Sequence, residues 1–300
     1  MEPLIFIDGK FVPKSKAVVS VFDHGLLYGD GIFEGIRAYR GNVFRLVEHI
    51  NRLFDSAKSI HLKIPMTKHE VTEAVLETLR KNQLRDAYIR IVVTRGTGDF
   101  GFDPALCKTP TIFMIAEPLA SVLVHSDPKV VRMMISSYRR DAVDATSHEI
   151  KSLNYMNSIL AKIEATSAGA DDAILLDHRG FVSEASVTNI FLVKDGRIAT
   201  PSTAAGILHG ITRDRLIMLC SDLGLDVQER DITPFELTTA DEVFLVGTKS
   251  EILSVGFISG AKVGTGGAGQ ITKRLCQEFA KVVQRAEEGT SIYEAESVSI

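Results

Sequence analysis

Four glycine-containing tight turns, each beside a short apolar run, constrain this chain more than any other feature. Asp8-Gly9 follows LIFI (4–7), and Arg40-Gly41-Asn42 separates GIFEGIRAY (31–39) from VFRL (43–46). His178-Arg179-Gly180 follows AILL, and Asp195-Gly196 separates NIFLV from RIAT. Glycine accepts positive φ at little steric cost, so each turn predicts antiparallel pairing of the runs around it. AVVSV (17–21) is the expected partner of LIFI, and NIFLV follows AILL as the next strand. AYIRIVV (87–93), TIFMIA (111–116), VVRMMIS (130–136) and DEVFLVG (241–247) add further strands.

Elsewhere the apolar period lengthens to that of a helix. Ile50, Leu53, Phe54, Ala57 and Ile60 fall on one helical face. Thr67 and Glu70 form a capping-box pattern that opens a second helix carrying Val71, Val75 and Leu79. Another helix is expected over 155–168, closed by Gly169, with more at about 211–223 and 271–288. Hairpins mixed with helices predict an α+β protein of two domains. EPLASVLVHSDP (117–128) reads as the connection, so the expected division is 1–118, a linker at 119–129, and 130–300.

The 300 residues suffice for two modest cores. With 45% apolar and 24% charged residues the chain has globular, not disordered, composition. A formal charge of −4 gives no electrostatic reason to expect nucleic acid or an anionic membrane as partner. MEPLIFIDGKF lacks the basic region and long apolar run of a signal peptide, and no later stretch is expected to span a bilayer. Cys107, Cys220 and Cys276 are widely spaced and odd in number, which favours a reducing, cytoplasmic compartment over a disulfide framework. The histidines show no metal-ligand spacing, so no metal is expected.

Four segments carry candidate chemistry. GTGGAG (264–269) matches the glycine fingerprint of dinucleotide sites, but only 31 residues follow it, too few for the βαβ units such a site needs. A glycine-rich surface turn is the better reading. In HGITRDRL (209–216), Gly210 permits close backbone approach and Ile211-Thr212 open a helix, so free amides and the helix dipole suit an anion; a plain helix cap fits as well. Thr248 could add a hydroxyl to the same anion. In IKSLNYMNS (150–158), Lys151 precedes a helix whose first turn presents Tyr155, an amine and a phenol one turn apart. Glu184 interrupts the strand-like segment SEASVTNIF (183–191), and spacing alone gives it no role.

These residues converge on a family. YGDGIFEGIR (28–37), AYIR (87–90), KSLNY (151–155), SEASVTNIF, GITRD (210–214) and GTKSEI (247–252) together resemble the fold-type IV (class IV) pyridoxal-phosphate aminotransferases. FEGIR and YIR are most similar to the branched-chain enzymes. The resemblance implies a small N-terminal and a larger C-terminal α/β domain, and a homodimer or larger homo-oligomer. It implies transfer of amino groups from branched-chain L-amino acids to 2-oxoglutarate, with pyridoxal 5′-phosphate as cofactor. Lys151 is then the lysine that forms the Schiff base and moves the proton. Glu184 pairs with the pyridine nitrogen, Tyr155 with the phenolic oxygen, and Leu208 packs on the ring. Arg52, Ile211, Thr212 and Thr248 clamp the phosphate. Tyr28, Phe33, Arg37, Tyr88 and Arg90 match the family's substrate pocket, and the Thr248-Lys249 turn binds the α-carboxylate.

Two departures from the pattern stand out. Lys249 replaces a residue that is often alanine, and the linker lacks a clear match to a tyrosine that some relatives use in the pocket. The nearest rival is a D-amino-acid transaminase of the same fold, which carries arginine and histidine where Phe100 and Phe102 stand here. An aminodeoxychorismate lyase or an (R)-amine transaminase usually lacks the YIR arginine, and a rival of another class is a catalytically silent protein that binds a nucleotide at the GTGGAG turn.

Overall fold

The computed structural model describes residues 2–120 and 128–293, so most of the expected linker lies outside the described residues. The chain forms two compact units. One comprises Met1–Ser121, Ile150–Asn154 and Val283–Ile300, and the other Val122–Glu149 and Tyr155–Val282. The expected division kept 130–300 together. Backbone pairing explains why two pieces of that stretch belong to the first unit: residues 151–153 bond to the strand at 31–39, and Gly289–Ser291 pairs with the strand at 42–44.

The first unit begins with β1 (Leu4–Ile7) and β2 (Lys10–Pro13). Asp8 and Gly9 both have positive φ, 45° and 82°, and pairing resumes at once with Ile7 opposite Lys10. The expected partner AVVSV is therefore not a strand. A two-residue turn leaves no slack, and the hairpin is complete at Pro13, four residues before Ala17. A short helix α1 (His24–Tyr28), capped by the Asp23 carboxylate, leads into β3 (Gly31–Tyr39). The Arg40-Gly41 turn joins β3 to β4 (Asn42–Phe44). Arg45 turns left-handed and starts α2 (Leu46–Ser59), so the expected strand through Leu46 stops two residues early. In α3 (Lys68–Lys81) both halves of the capping box form: Thr67 N donates to Glu70 Oε2 (2.7 Å) and Glu70 N to Thr67 Oγ1 (3.2 Å). β5 (Ala87–Thr94) and β6 (Thr111–Pro118) complete the unit's own run of strands.

These strands and Gly289–Ser291 make a seven-stranded antiparallel sheet in the order 289–291, β4, β3, β5, β6, β1, β2. Strand alternation assigns each residue a face. Ile32, Ile36 and Ala38 of β3 and Ile89, Ile91 and Val93 of β5 join a core with Ile50, Leu53, Val71, Val75 and Leu79 of the two helices. Phe33, Gly35 and Arg37, opposite Val92, Arg90 and Tyr88, occupy the other face.

The second unit contains β7 (Val130–Arg139), α4 (Met156–Ser167), β8 (Asp172–Leu176), β9 (Val182–Ala185), β10 (Asn189–Lys194) and β11 (Arg197–Thr200). It continues with α5 (Ile211–Asp222), β12 (Val227–Glu229), α6 (Pro234–Thr238), β13 (Glu242–Gly247), β14 (Glu251–Ile258), β15 (Ala261–Lys262) and α7 (Gln270–Val282). The sheet order is β12-β11-β10-β13-β14-β7-β8-β9, with β15 on β14. β7 runs parallel to both β14 and β8, which places a mixed seam in an otherwise mostly antiparallel sheet. β9 is a strand the hairpin reading passed over. It pairs with β8 through Ile174–Ala185, so Glu184 lies inside a strand instead of interrupting one. α7 ends at Val282, short of the expected 288. Its N-terminus is occupied by the chain's own anion, because Ile271 N (3.0 Å) and Thr272 N (2.7 Å) donate to the Glu242 carboxylate. A dinucleotide phosphate has no place there, and GTGGAG is a turn with positive φ at Gly264 and Gly266. Among the described residues no helix is long and apolar enough to cross a membrane.

Candidate active site

In the first unit, Lys151 sits in an extended segment beside β3. Phe33 N donates to Lys151 O and Leu153 N to Gly31 O, both at 2.9 Å, while Lys151 N donates to Ser56 Oγ at 3.2 Å. Sheet edge and α2 together fix the backbone around the lysine. As expected, Lys151 precedes a helix, α4, but Tyr155 is the N-cap of that helix and not a residue of its first turn, and Lys151 lies four residues before it in extended backbone.

The Lys151 ammonium lies 4.8 Å from the centre of the Phe33 ring, and the Arg90 guanidinium lies 4.3 Å from the same ring. Arg90 Nη2 donates to the Tyr88 hydroxyl at 3.3 Å. A Cβ on Gly35 would stand 2.2 Å from that hydroxyl, so glycine at 35 is what lets the Tyr88 side chain lie over β3. Amine, aromatic wall and arginine thus share one face of the sheet. Arg37 is buried, donating to Ala120 O at 2.6 Å and lying 4.9 Å from the Tyr39 ring. Tyr28 ends α1, meets Phe102 edge-on at 5.0 Å, and accepts from Gly101 N at 3.3 Å.

On the core face, Glu34 is fully buried. Arg52 grips it with two bonds, Nε to Oε1 (2.7 Å) and Nη2 to Oε2 (3.0 Å), and His49 Nδ1 lies 2.8 Å from Oε2. Burial alone pushes the Glu34 carboxyl up, but Arg52 and His49 outweigh it and hold it well below the usual carboxylate range. Burial lowers the His49 imidazole below its ordinary value; Glu34 opposes this, while Arg52 and Lys151 add to it.

In the second unit, Glu184 is buried with partners at both oxygens. Oε2 accepts from Asn189 Nδ2 (2.9 Å) and Leu208 N (3.2 Å), and Oε1 faces Arg140 Nη2 (3.4 Å) and His148 Nε2 (3.3 Å). Asn189 Nδ2 also reaches Leu208 O at 2.9 Å, so the same pair ties down the segment entering α5. A Cβ on Gly210 would meet Asn189 Oδ1 at 2.0 Å, which explains the glycine there. Gly210 caps α5 without any side-chain bond, and Ile211 and Thr212 are buried in its first turn. The His148 and Tyr155 rings are 5.7 Å apart. Thr248 is half-buried and Lys249 exposed in the turn joining β13 to β14.

The family described as "Amino-transferase class IV" matches residues 31–258. The chain belongs to the class IV aminotransferases. A Methanocaldococcus jannaschii protein provisionally named as a branched-chain-amino-acid aminotransferase is 52% identical over 290 residues, covering 97% of this chain and 99% of its own. The crystal structure of a T.th. branched-chain amino acid aminotransferase with pyridoxamine 5′-phosphate superposes with a TM-score of 0.93 at 37% identity, covering 98% and 99% of the two chains. The same protein complexed with N-(5′-phosphopyridoxyl)-L-glutamate gives 0.91 at 37% identity, again over 98% and 99%. The resemblance read from the motifs and the α+β fold expected from it are thereby borne out.

Class IV aminotransferases depend on pyridoxal 5′-phosphate, a group with an aldehyde, a pyridine nitrogen and a phosphate. Each unit by itself carries groups whose chemistry suits it: the first has the Lys151 amine, and the second has the buried Glu184 carboxylate and a first turn of α5 without a side-chain cap. The hydroxyls of Thr188 and Ser250 are also buried without a hydrogen-bond partner. Both flank Gly247, where a Cβ would lie 3.0 Å from Thr188 Cγ2 and 3.1 Å from Ser250 Oγ. An oxyanion beside this turn would satisfy them.

Sequence reasoning named no role for Glu34, His49, Ser56, Arg140, His148 or Asn189. Glu34 left a signal: it shares a strand face with Ile32, Ile36 and Ala38, where a charge is out of place. Asn189 shares the motif SEASVTNIF with Glu184, but Arg140 and His148 left no signal, because they reach Glu184 from a distant part of the chain.

Proposed function

We propose that this aminotransferase moves amino groups from L-leucine, L-isoleucine and L-valine to 2-oxoglutarate, giving branched 2-oxo acids and L-glutamate. The names of the relatives support the substrate class. The observation that carries the reading is the Phe33 face of the first unit. There an amine, aromatic side chains and an arginine stand within a few ångströms of one another. Phe33, Tyr88 and Tyr28 suit branched aliphatic groups, and Arg90, or Arg37 behind it, suits the distal carboxylate of glutamate.

When bound, pyridoxal phosphate supplies a carbonyl that the amino group attacks and a ring that accepts electrons. Lys151 Nζ holds the cofactor covalently, and once displaced it moves the proton at the substrate Cα. Glu184 holds a proton at the pyridine nitrogen, and Tyr155 bonds the phenolic oxygen. Leu208 packs on the ring, and Arg52, Ile211, Thr212 and Thr248 hold the phosphate. Amides of the Thr248-Lys249 turn hold the α-carboxylate. The three cysteines, free of disulfides, favour a cytoplasmic setting.

The exposed apolar side chains of Val18, Val21, Phe22, Leu26, Phe100 and Phe102 favour a homodimer. A donor panel with 2-oxoglutarate as acceptor tests the substrate assignment. L-leucine, L-isoleucine and L-valine should lead it, and Arg90→Gln should impair the reaction with 2-oxoglutarate more than that with L-leucine. Equal impairment of both half-reactions would remove Arg90 from distal carboxylate binding.

A further inference from the structure

We infer that Glu34 and His49 are positioning residues that set the Arg52 guanidinium for the cofactor's phosphate. This rests on the reading that Arg52 binds that phosphate. The argument begins with a mismatch: Glu34 takes a core position on β3, between Ile32 and Ile36, where an aliphatic side chain would pack without desolvating a charge. Replacing buried ion pairs with apolar residues is often neutral or stabilising, so stability alone is a poor reason for a carboxylate here. Geometry gives a better one.

Arginine has a long, flexible stem, and one hydrogen bond would leave its plane free to turn. Glu34 takes both Nε and Nη2, which fixes the guanidinium plane and the direction of its remaining edge. His49 in turn holds Oε2, so the carboxylate cannot swing with the arginine. An imidazole can do this as an N–H donor through Nδ1, 2.8 Å from Oε2.

The same helix face extends one turn further. His49, Arg52 and Ser56 follow at i, i+3 and i+7 on α2, and Ser56 Oγ accepts from the Lys151 amide. A polar seam beside the apolar face of this amphipathic helix therefore references both Arg52 and the backbone carrying Lys151. Changing Glu34 should loosen the grip on phosphate while the fold persists.

The test follows cofactor release from the holoenzyme after dilution, read at the cofactor's absorbance band. It is paired with binding of pyridoxal, which lacks the phosphate, to the stripped protein. Wild type, Glu34→Gln, His49→Asn, Arg52→Gln and the Glu34→Gln/Arg52→Gln double variant are compared. Glu34→Gln and Arg52→Gln should each speed release by about tenfold or more with pyridoxal binding unchanged, and the double variant should release no faster than Arg52→Gln alone. His49→Asn, which leaves the Glu34–Arg52 fork in place, should speed release by a smaller factor and keeps the inference testable if Glu34→Gln does not fold. Unchanged release in Glu34→Gln, or in His49→Asn should that be the only one to fold, overturns the inference. So does a Glu34→Gln effect that persists in full without Arg52. Should Arg52→Gln itself retain cofactor like wild type, the phosphate role of Arg52 fails first, and the inference falls with it.

Discussion

Glu184 lies in β9 with donors on both oxygens, an arrangement that keeps a negative charge in place inside the second unit. If that charge holds the pyridine proton, Glu184→Gln should keep its cofactor yet react slowly. Loss of one such charge-stabilising group costs about 3 kcal/mol at the transition state, a rate drop of about a hundredfold. The measurement is the single-turnover rate with saturating L-leucine, alongside cofactor content; a wild-type rate would remove Glu184 from this role. Residues such as Glu184 and Lys151 were legible because they sit inside contiguous motifs. Their supports from other segments were not, since Ser56 meets Lys151, and Arg140 and His148 meet Glu184, only through the fold.

At the scale of elements, α2 is the most informative. Its apolar face was readable from the spacing of Ile50, Leu53 and Ala57, whereas the polar seam beside it was hidden among surface-like residues. The seam has a pH signature. The folded-state pKa values of Glu34 and His49 are both lowered, so over the window between folded and unfolded values the unfolded chain binds more protons. The stability they contribute is present above the unfolded values and is lost as pH falls. The loss begins below the ordinary histidine value of 6.5, where His49 would titrate in the unfolded chain, and deepens through the carboxylate range. Urea midpoints at stepped pH should fall from about pH 6.5 downward. The fall between about pH 6.5 and 5 should be shallower in His49→Asn, whose position 49 cannot titrate. Identical slopes in the two proteins would show that His49 does not carry the effect. Strand reading succeeded where turns and periods agreed, as at β3, β5 and β10. It misplaced the partner of β1, because AVVSV looks strand-like by composition while the Asp8-Gly9 turn demands pairing at Lys10. It missed β9 because a buried glutamate breaks the apolar pattern of a strand.

At the scale of the whole molecule, a run of apolar side chains is left in solvent. Val18, Leu26, Phe100 and Phe102 are 76%, 67%, 74% and 86% exposed, and the Phe22 and Phe100 rings touch at 5.9 Å. Burial by a second copy would stabilise association by about 25 cal/mol for each Å² of apolar surface covered. Sedimentation at micromolar protein should show a dimer, and Leu26→Asp with Phe100→Asp should shift it toward monomer; a monomeric wild type would contradict the assignment. The two-domain, α+β character was legible from hairpins and helix periods, and the family from motifs spread along the chain. The return of 150–154 and 283–293 to the first unit was not, since strand pairing across more than a hundred residues leaves no local trace. The central claim concerns which amino acids the enzyme accepts. On the proposed reading, Phe100 and Phe102 replace the arginine and histidine with which D-specific relatives would hold the α-carboxylate, and a wall of Phe33 and Tyr88 would favour a branched side chain over a methyl group. Each additional buried CH₂ is worth about 0.8 kcal/mol, so leucine should exceed alanine by a wide margin. The most direct measurement is the rate at which the holoenzyme's absorbance bleaches with L-leucine or D-alanine and no oxo acid present. Fast bleaching with L-leucine and slow or absent bleaching with D-alanine is the predicted result, and faster bleaching with D-alanine would contradict the account.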